Sequence, residues 1–361
     1  MRGAQAKLPS SKDRVMAALS LEEPDMVPFF DFLYNHASIR NIINEPTGTR
    51  ITPEKFMKAQ LALDFDLVCL FLDSPKGYAP RKVGPNLIVD EWGVKSKTGG
   101  DQSWYLDGTI KSKDHLKALQ PPDPYAPGRT RSLEKILKKW GDKKACSFAV
   151  SGPFTKGWGM TGFVPFVKAL YTDPSFVRQL VETTTKFEIE MGKIAIDAGV
   201  KILWITDDLG DVHGPMLSQK AFGEYIFPSI KTMIQEFKNR GALVLLHCDG
   251  NVMPLMDDLV NLGIDAFHPT ERKTGMKLEE MKQRYGDRIA LIGNVEASVL
   301  IPFGSLEEID RQTRECFNTA APGGGYIFAS DHSIHPGVPA ERARFLFENA
   351  KKYRKHNYLS R

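Results

Sequence analysis

Short apolar runs alternate along this chain with longer segments whose apolar residues recur every three or four positions. The runs fall at residues 27–32, 66–72, 145–151, 200–206, 242–247, 264–269, 288–293 and 325–330. Most are apolar at consecutive positions, as expected of strands covered on both faces in a parallel sheet. Helical patterns occupy 53–63, a stretch from Ser132, 174–198, 218–240, 252–262, 277–285 and 305–320, and a last one at 340–355 follows the eighth run. Eight such units in succession predict an α/β fold, a closed (β/α)8 TIM barrel. A doubly wound open sheet is the alternative, but no GxGxxG follows an early strand.

Two segments depart from this rhythm. A short amphipathic helix at 12–21, closed by Pro24, forms an N-terminal extension. Residues 81–105 alternate apolar and polar positions and predict an antiparallel β-hairpin inserted after the second strand, with Asp90, Glu91, Trp92 and Gly93 inside it. Prolines 121, 122, 124 and 127 make the return irregular. The expected organisation is a single barrel domain over 1–361 with an insertion at 78–131.

Composition narrows the class. Hydrophobic residues at 42% and charged residues at 25% are those of an ordinary soluble globular protein with ample core material. The net charge of +4 comes from scattered lysines, and no basic face interleaves with aromatics, so nucleic acid is not an expected partner. No signal peptide is visible and no apolar run approaches the ~20 residues that span a bilayer, so no membrane association is expected. Cysteines 69, 146, 248 and 316 are widely spaced without a CxxC, which points to reduced thiols and a cytoplasmic location.

Catalytic groups of a TIM barrel sit at the C-terminal ends of its strands. Here those ends carry Asp31, Asp73, Ser151-Gly152-Pro153, Asp207-Asp208, His247-x-Asp249, His268-x-x-Glu271, Asn294 and Asp331-His332. Singly, each has a structural explanation: Asp207 or Asp208 as a helix cap, His268 as a core histidine, Glu271 as a solvated charge. Capping does not call for imidazoles at three strand ends. In an extended chain His247 and Asp249 point to one side and Cys248 to the other. His247, Asp249, Glu271 and His332 together offer the nitrogen and oxygen donors of a catalytic zinc site with an open position, and Cys248 replaces one of them only if the strand ends in a bulge. Asp207, Asn294 and Asp31 are candidate catalytic or substrate-orienting groups. Tyr34, Phe154, Trp158 and Met160 are candidates for lining an aromatic substrate pocket, with core packing as the competing explanation. Gly152-Pro153-Phe154-Thr155 and glycines 157, 159 and 162 suggest a mobile loop over the mouth. Asp211-Val212-His213-Gly214 is similar to the D-x-H-x-x-G signature of corrinoid-binding domains, but Met216 stands at its sixth position and no Rossmann-like domain follows. Intrinsic cobalamin binding is therefore not expected.

Several pieces carry a family resemblance: Asp13-Arg14-Val15-Met16-Ala17-Ala18-Leu19 through Pro24-Asp25-Met26-Val27-Pro28, Asp90-Glu91-Trp92-Gly93-Val94, the strand ending at His247, Ile292-Gly293-Asn294-Val295, and Gly324-Gly325-Tyr326-Ile327-Phe328 followed by His332. Along nearly all its length the chain resembles the uroporphyrinogen decarboxylase superfamily. True decarboxylases of that superfamily carry an arginine-rich motif after the first strand, which grips the substrate's carboxylates. This chain has Tyr34-Asn35-His36-Ala37-Ser38 there, and only Arg40 nearby. The other branch exchanges a methyl group with a corrinoid protein and binds zinc through H-x-C and a distant cysteine. His247 matches the first ligand, Asp249 stands at the second and His332 at the third, while Glu271 resembles the carboxylate ligand of cobalamin-independent methionine synthases.

Thiolate ligands push charge onto zinc and suit the methylation of thiols. Harder nitrogen and oxygen ligands leave a better Lewis acid toward oxygen. The resemblance thus implies a corrinoid-dependent O-demethylating methyltransferase: Zn2+ bound, corrinoid supplied by a partner protein, a methoxylated small molecule, aromatic by preference, as methyl donor, and a homodimer left open. One alternative is a metal-free decarboxylase acting on a small or cyclic acid with Asp31 and Asp73. The other is a barrel that only binds a corrinoid protein or tetrapyrrole.

Overall fold

The computed structural model describes residues 8–99 and 102–355; the start of the expected N-terminal extension and Gly100 of the expected hairpin lie outside these residues. The chain forms β1 (Leu67–Leu70), then β2 (Arg81–Gly84), β3 (Leu87–Val89), β4 (Lys95–Gly99) and β5 (Gln102–Asp107), and continues with β6 (Ala145–Ser151) and β7 (Ile202–Thr206). A small hairpin, β8 (Gly210–Asp211) with β9 (Gly214–Pro215), precedes β10 (Leu243–His247), β11 (Ala266–His268), β12 (Ala290–Val295) and β13 (Tyr326–Ser330). Strands β1, β6, β7, β10, β11, β12 and β13 pair in that order, each neighbour parallel.

The eighth strand position belongs to the segment around residues 27–34. It makes parallel bridges from Phe29 to Phe328 and from Leu33 to Ile334, and on its other edge the Phe29 carbonyl accepts from Asp66 N–H at 2.9 Å. Pro28 has no N–H to give a ladder, which leaves this segment bridged rather than continuously paired. It closes the sheet between β13 and β1, and the fold is a (β/α)8 TIM barrel.

Alternate residues divide two apolar layers. Phe30, Phe32, Leu67, Ile202, Trp204, Leu245, Ala266, Ile292 and Ile327 fill the barrel, and Val15, Ala18 and Leu19 of the helix Ser11–Leu19 pack into the same cluster. Trp204 keeps its indole N–H satisfied by Ser147 Oγ at 3.0 Å. The opposite phase, including Phe29, Leu33, Val68, Phe148, Leu203, Leu246, Phe267 and Phe328, packs outward in the larger core.

The insertion is more than a hairpin. Turns at Asn86, which takes a φ of 58°, and at residues 90–93 cut the alternating stretch into the four-stranded antiparallel order β2-β3-β4-β5. It is pinned to the barrel by the motif inside it. Asp90 Oδ1 accepts from Trp92 and Val94 N–H, both at 2.9 Å; Glu91 pairs with buried Arg129; and Trp92 packs edge-on against Phe187 under the Lys156 ammonium. The expected mobile loop after β6 is instead the helix Pro153–Thr161. Among the described residues no helix is long and apolar enough to cross a membrane, and all four cysteines are buried and free.

Candidate metal centre at the barrel mouth

Strand phase decides which strand-end side chains reach the mouth. Leu245 of β10 faces inward, so His247 and Asp249 follow it and Cys248 turns out. The Cys248 sulfur accepts from Leu209 N–H at 3.2 Å, and burial pushes its thiol well above the usual range. No bulge substitutes it for Asp249. Trp204 of β7 likewise faces inward, and the same count carries Asp208 into the mouth and Asp207 out of it.

Donor atoms of Asp208, His247 and Asp249 all lie within 4.8 Å of one another. His247 Nε2 is 3.6 Å from Asp249 Oδ2 and 3.9 Å from Asp208 Oδ1. His332 Nε2 joins at 2.9 Å from the same Asp249 oxygen, while its Nδ1 lies 2.8 Å from Ser333 Oγ. Burial alone would raise Asp249, but the two imidazoles overcome it and hold the carboxyl well below the usual carboxylate range. Burial disfavours charge on His247, yet Asp249 and Asp208 leave its pKa raised; the hydrogen bond to Asp249 raises His332. Asp208 is raised by burial, against the pull of His247. Asp249 Oδ1 is buried without a partner among the described residues. A buried carboxylate with one oxygen shared by two imidazoles and the other uncompensated, beside a second carboxylate, fits a divalent ion of the zinc type, and such an ion would take the place of the shared protons.

Other expected site residues lie elsewhere. Glu271 does not join the cluster: its oxygens accept from Gly250 N–H at 2.8 Å and pair with Lys273 Nζ at 2.9 Å, holding the turn after β10. Asp207 accepts from Thr155 N–H at 2.6 Å and Phe154 N–H at 3.1 Å and so anchors the start of helix Pro153–Thr161. Asp31 shares the outward phase of Phe29 and Leu33, and its oxygens accept from Ser330 N–H and Oγ–H at 3.0 and 3.1 Å. Asn294 donates to the Thr270 carbonyl at 2.9 Å and lies 3.5 Å from the Cys316 thiol, away from the cluster. Asp73 accepts from Ser132 N–H and Oγ–H.

Of the expected pocket residues, Phe154 and Met160 are fully buried, Phe154 among Phe163, Phe166 and Phe222, and both are core. Tyr34 is half-exposed at 51% and stacks on Phe32, whose ring in turn meets His247 at 5.1 Å. Trp158 lines, with Phe163 and the β8–β9 hairpin, a groove of about 620 Å³. The Asp211 motif is the turn of that hairpin, with Oδ1 accepting from His213 and Gly214 N–H. Missing from the sequence-based set are Asp208 and His268. His268 lies beneath His247, with their Nδ1 atoms 2.8 Å apart.

Comparison with known proteins agrees with this architecture. The profile of the uroporphyrinogen decarboxylase (URO-D) family matches residues 87–353. Uroporphyrinogen decarboxylases of Mannheimia succiniciproducens and Pseudoalteromonas atlantica are each 25% identical, over 95% and 94% of this chain and 97% and 96% of theirs. A solved structure described as a methyltransferase from Methanosarcina mazei superposes with a TM-score of 0.77 at 20% identity, covering 95% of this chain and 99% of its own, a likeness of fold. With a family match across most of the barrel and near-complete overlap with these relatives, the chain belongs to the uroporphyrinogen decarboxylase family of enzymes.

Proposed function

We propose that this protein is a methyltransferase that takes the methyl group of a methoxylated aromatic substrate and passes it to the Co(I) corrinoid of a partner protein. The observation that carries this reading is the cluster of His247, Asp249, Asp208 and His332, a set of nitrogen and oxygen donors from which the neighbouring thiol of Cys248 is turned away. These four side chains would hold Zn2+, which when bound supplies a Lewis acid toward an ether oxygen. Half-exposed Tyr34, stacked on the buried Phe32 ring that meets His247, offers a ring face at the mouth against which an aromatic donor can stack. The carbon–oxygen bond breaks with its electron pair kept by oxygen, the methyl group bonds to cobalt, and Co(I) becomes methyl-Co(III). The phenolate leaves and takes a proton from water.

A single-turnover reaction tests this: zinc-loaded protein, a Co(I) corrinoid and a methoxylated benzoate. Appearance of the methyl-Co(III) spectrum together with the free phenol is the expected result. Unmethylated cobalt across a panel of aryl methyl ethers would sink the reading.

The decarboxylase names of the curated relatives favour a second reading, metal-free decarboxylation of a small or cyclic acid. Its weakness lies where an arginine grip on carboxylates would be needed. Asn35 caps the helix His36–Ile42 there, and Arg40 is buried with its Nε donating to the Thr49 carbonyl. Full activity of metal-stripped protein on an acid substrate would establish this second reading.

A further inference from the structure

His268 has no role in the scheme above, and packing does not explain it. Its ring is fully buried at the end of β11, edge-on to Phe30, Phe32 and Trp204 at centroid distances of 5.9, 5.6 and 5.9 Å. A phenylalanine would fill that space equally well. Its Nε2 is buried without a hydrogen-bond partner among the described residues, a costly arrangement for an imidazole. Among the described residues, the one polar contact its ring makes is Nδ1 to Nδ1 with His247, at 2.8 Å.

We propose that His268 is a positioning residue that accepts the Nδ1 proton of His247 and thereby keeps the His247 Nε2 lone pair aimed at the metal. Only one proton fits between two nitrogens at that distance. His247 Nε2 is the nitrogen that faces Asp249 and Asp208. For Nε2 to ligate, His247 must carry a proton on Nδ1 and donate it. His268 Nδ1 must then be the acceptor, which places the His268 proton on Nε2, the atom without a partner. Metal-bound histidines are commonly oriented by a carboxylate or a carbonyl at the second nitrogen. A neutral imidazole in that place orients the ligand without adding negative charge behind it, which preserves the Lewis acidity of the site.

This inference rests on the metal-holding part of the proposed function and not on the substrate. The test is a Zn2+ titration of the full chain by competition with a chromophoric chelator, comparing wild type, His268→Phe and His268→Asn. Phenylalanine keeps the ring volume and loses the acceptor; asparagine loses volume but can place Oδ1 where Nδ1 stood. Expected is a 10- to 100-fold weaker affinity for His268→Phe, with His268→Asn within a few-fold of wild type. Equal affinity of wild type and His268→Phe overturns the proposal, as does equal weakening of both variants, since an acceptor restored at that position would then recover nothing. Nitrogen-15 NMR of histidine-labelled wild-type protein, with and without Zn2+, needs no variant to fold. His268 protonated on Nε2 and bare on Nδ1 supports the proposal; a proton on His268 Nδ1 overturns it. Wild-type protein that takes up no zinc overturns the metal reading itself, a failure distinct from these.

Discussion

Two adjacent aspartates at the end of β7 do opposite work because a strand alternates its side chains. Asp208 enters the donor cluster, where burial and the charge of Asp249 disfavour its ionisation. Asp207 faces the other way and spends both oxygens on backbone N–H groups of the next layer. Asp208→Asn is therefore expected to weaken Zn2+ binding at least about tenfold while leaving metal-free stability unchanged or higher, because it removes a crowded charge. Asp207→Asn turns an amide donor toward a buried N–H and is expected to cost about 1–3 kcal/mol of stability. Chelator competition and urea unfolding of metal-free protein separate the two, and a swapped outcome would refute the assignment of faces. This division was not legible in the sequence, since Ile202, Leu203, Trp204 and Ile205 are apolar on both faces and hide the phase. His247-x-Asp249 was legible, because two residues apart share a face whatever the phase. His332 was legible as an imidazole at the end of the last strand run.

At the scale of elements, the glycines after β6 carry a different message from the mobility they suggest. A Cβ on Gly152 would lie 2.1 Å from Asp207 Cβ, and one on Gly157 would lie 2.8 Å from the Phe166 ring. Glycine is there to let the helix Pro153–Thr161 approach β7 and its neighbouring helix, not to let it swing. Gly152→Ala is expected to cost about 3 kcal/mol, the upper range for overpacking, since it meets the side chain whose carboxylate anchors the helix. Hydrogen exchange gives a local readout: in wild type the amides of this helix should exchange as slowly as those of β6, and in the variant markedly faster. Fast exchange in wild type would restore the idea of a lid. Elements with a strong apolar period, the barrel strands and the long helix Pro174–Asp197, were legible in the sequence. The glycine spacing and the four-stranded insertion were not, because close approach and turn placement depend on tertiary neighbours.

Closure of the whole barrel depends on polar anchors along its first strand, where the proline-interrupted ladder is sparse. Asp66 accepts from Phe29 N–H at 3.0 Å, and Arg354 reaches the Val27 carbonyl and covers the Phe29 ring. At the other end Asp31 joins the first strand to β13 through Ser330. Burial pushes the Asp31 carboxyl from 3.8 up to about 7, with the two Ser330 donors pulling only part of the way back. A native acid with a raised pKa holds its proton where the unfolded chain has released it, so folding binds protons between these two values. The stability that Asp31 contributes is thus fully present below about pH 4, falls as the pH rises toward about 7, and is constant above. The fall is bounded at about 4 kcal/mol by the span from 3.8 to about 7. Asparagine can keep an acceptor for Ser330 N–H and a donor for its hydroxyl without this titration. Relative to Asp31→Asn, wild type should therefore be most stable at acidic pH and lose ground steadily toward neutrality, as read from urea unfolding midpoints at stepped pH. A difference that stays flat across that window would show that Asp31 ionises as an ordinary surface carboxylate, and that the seam between the first and last strands is open to water.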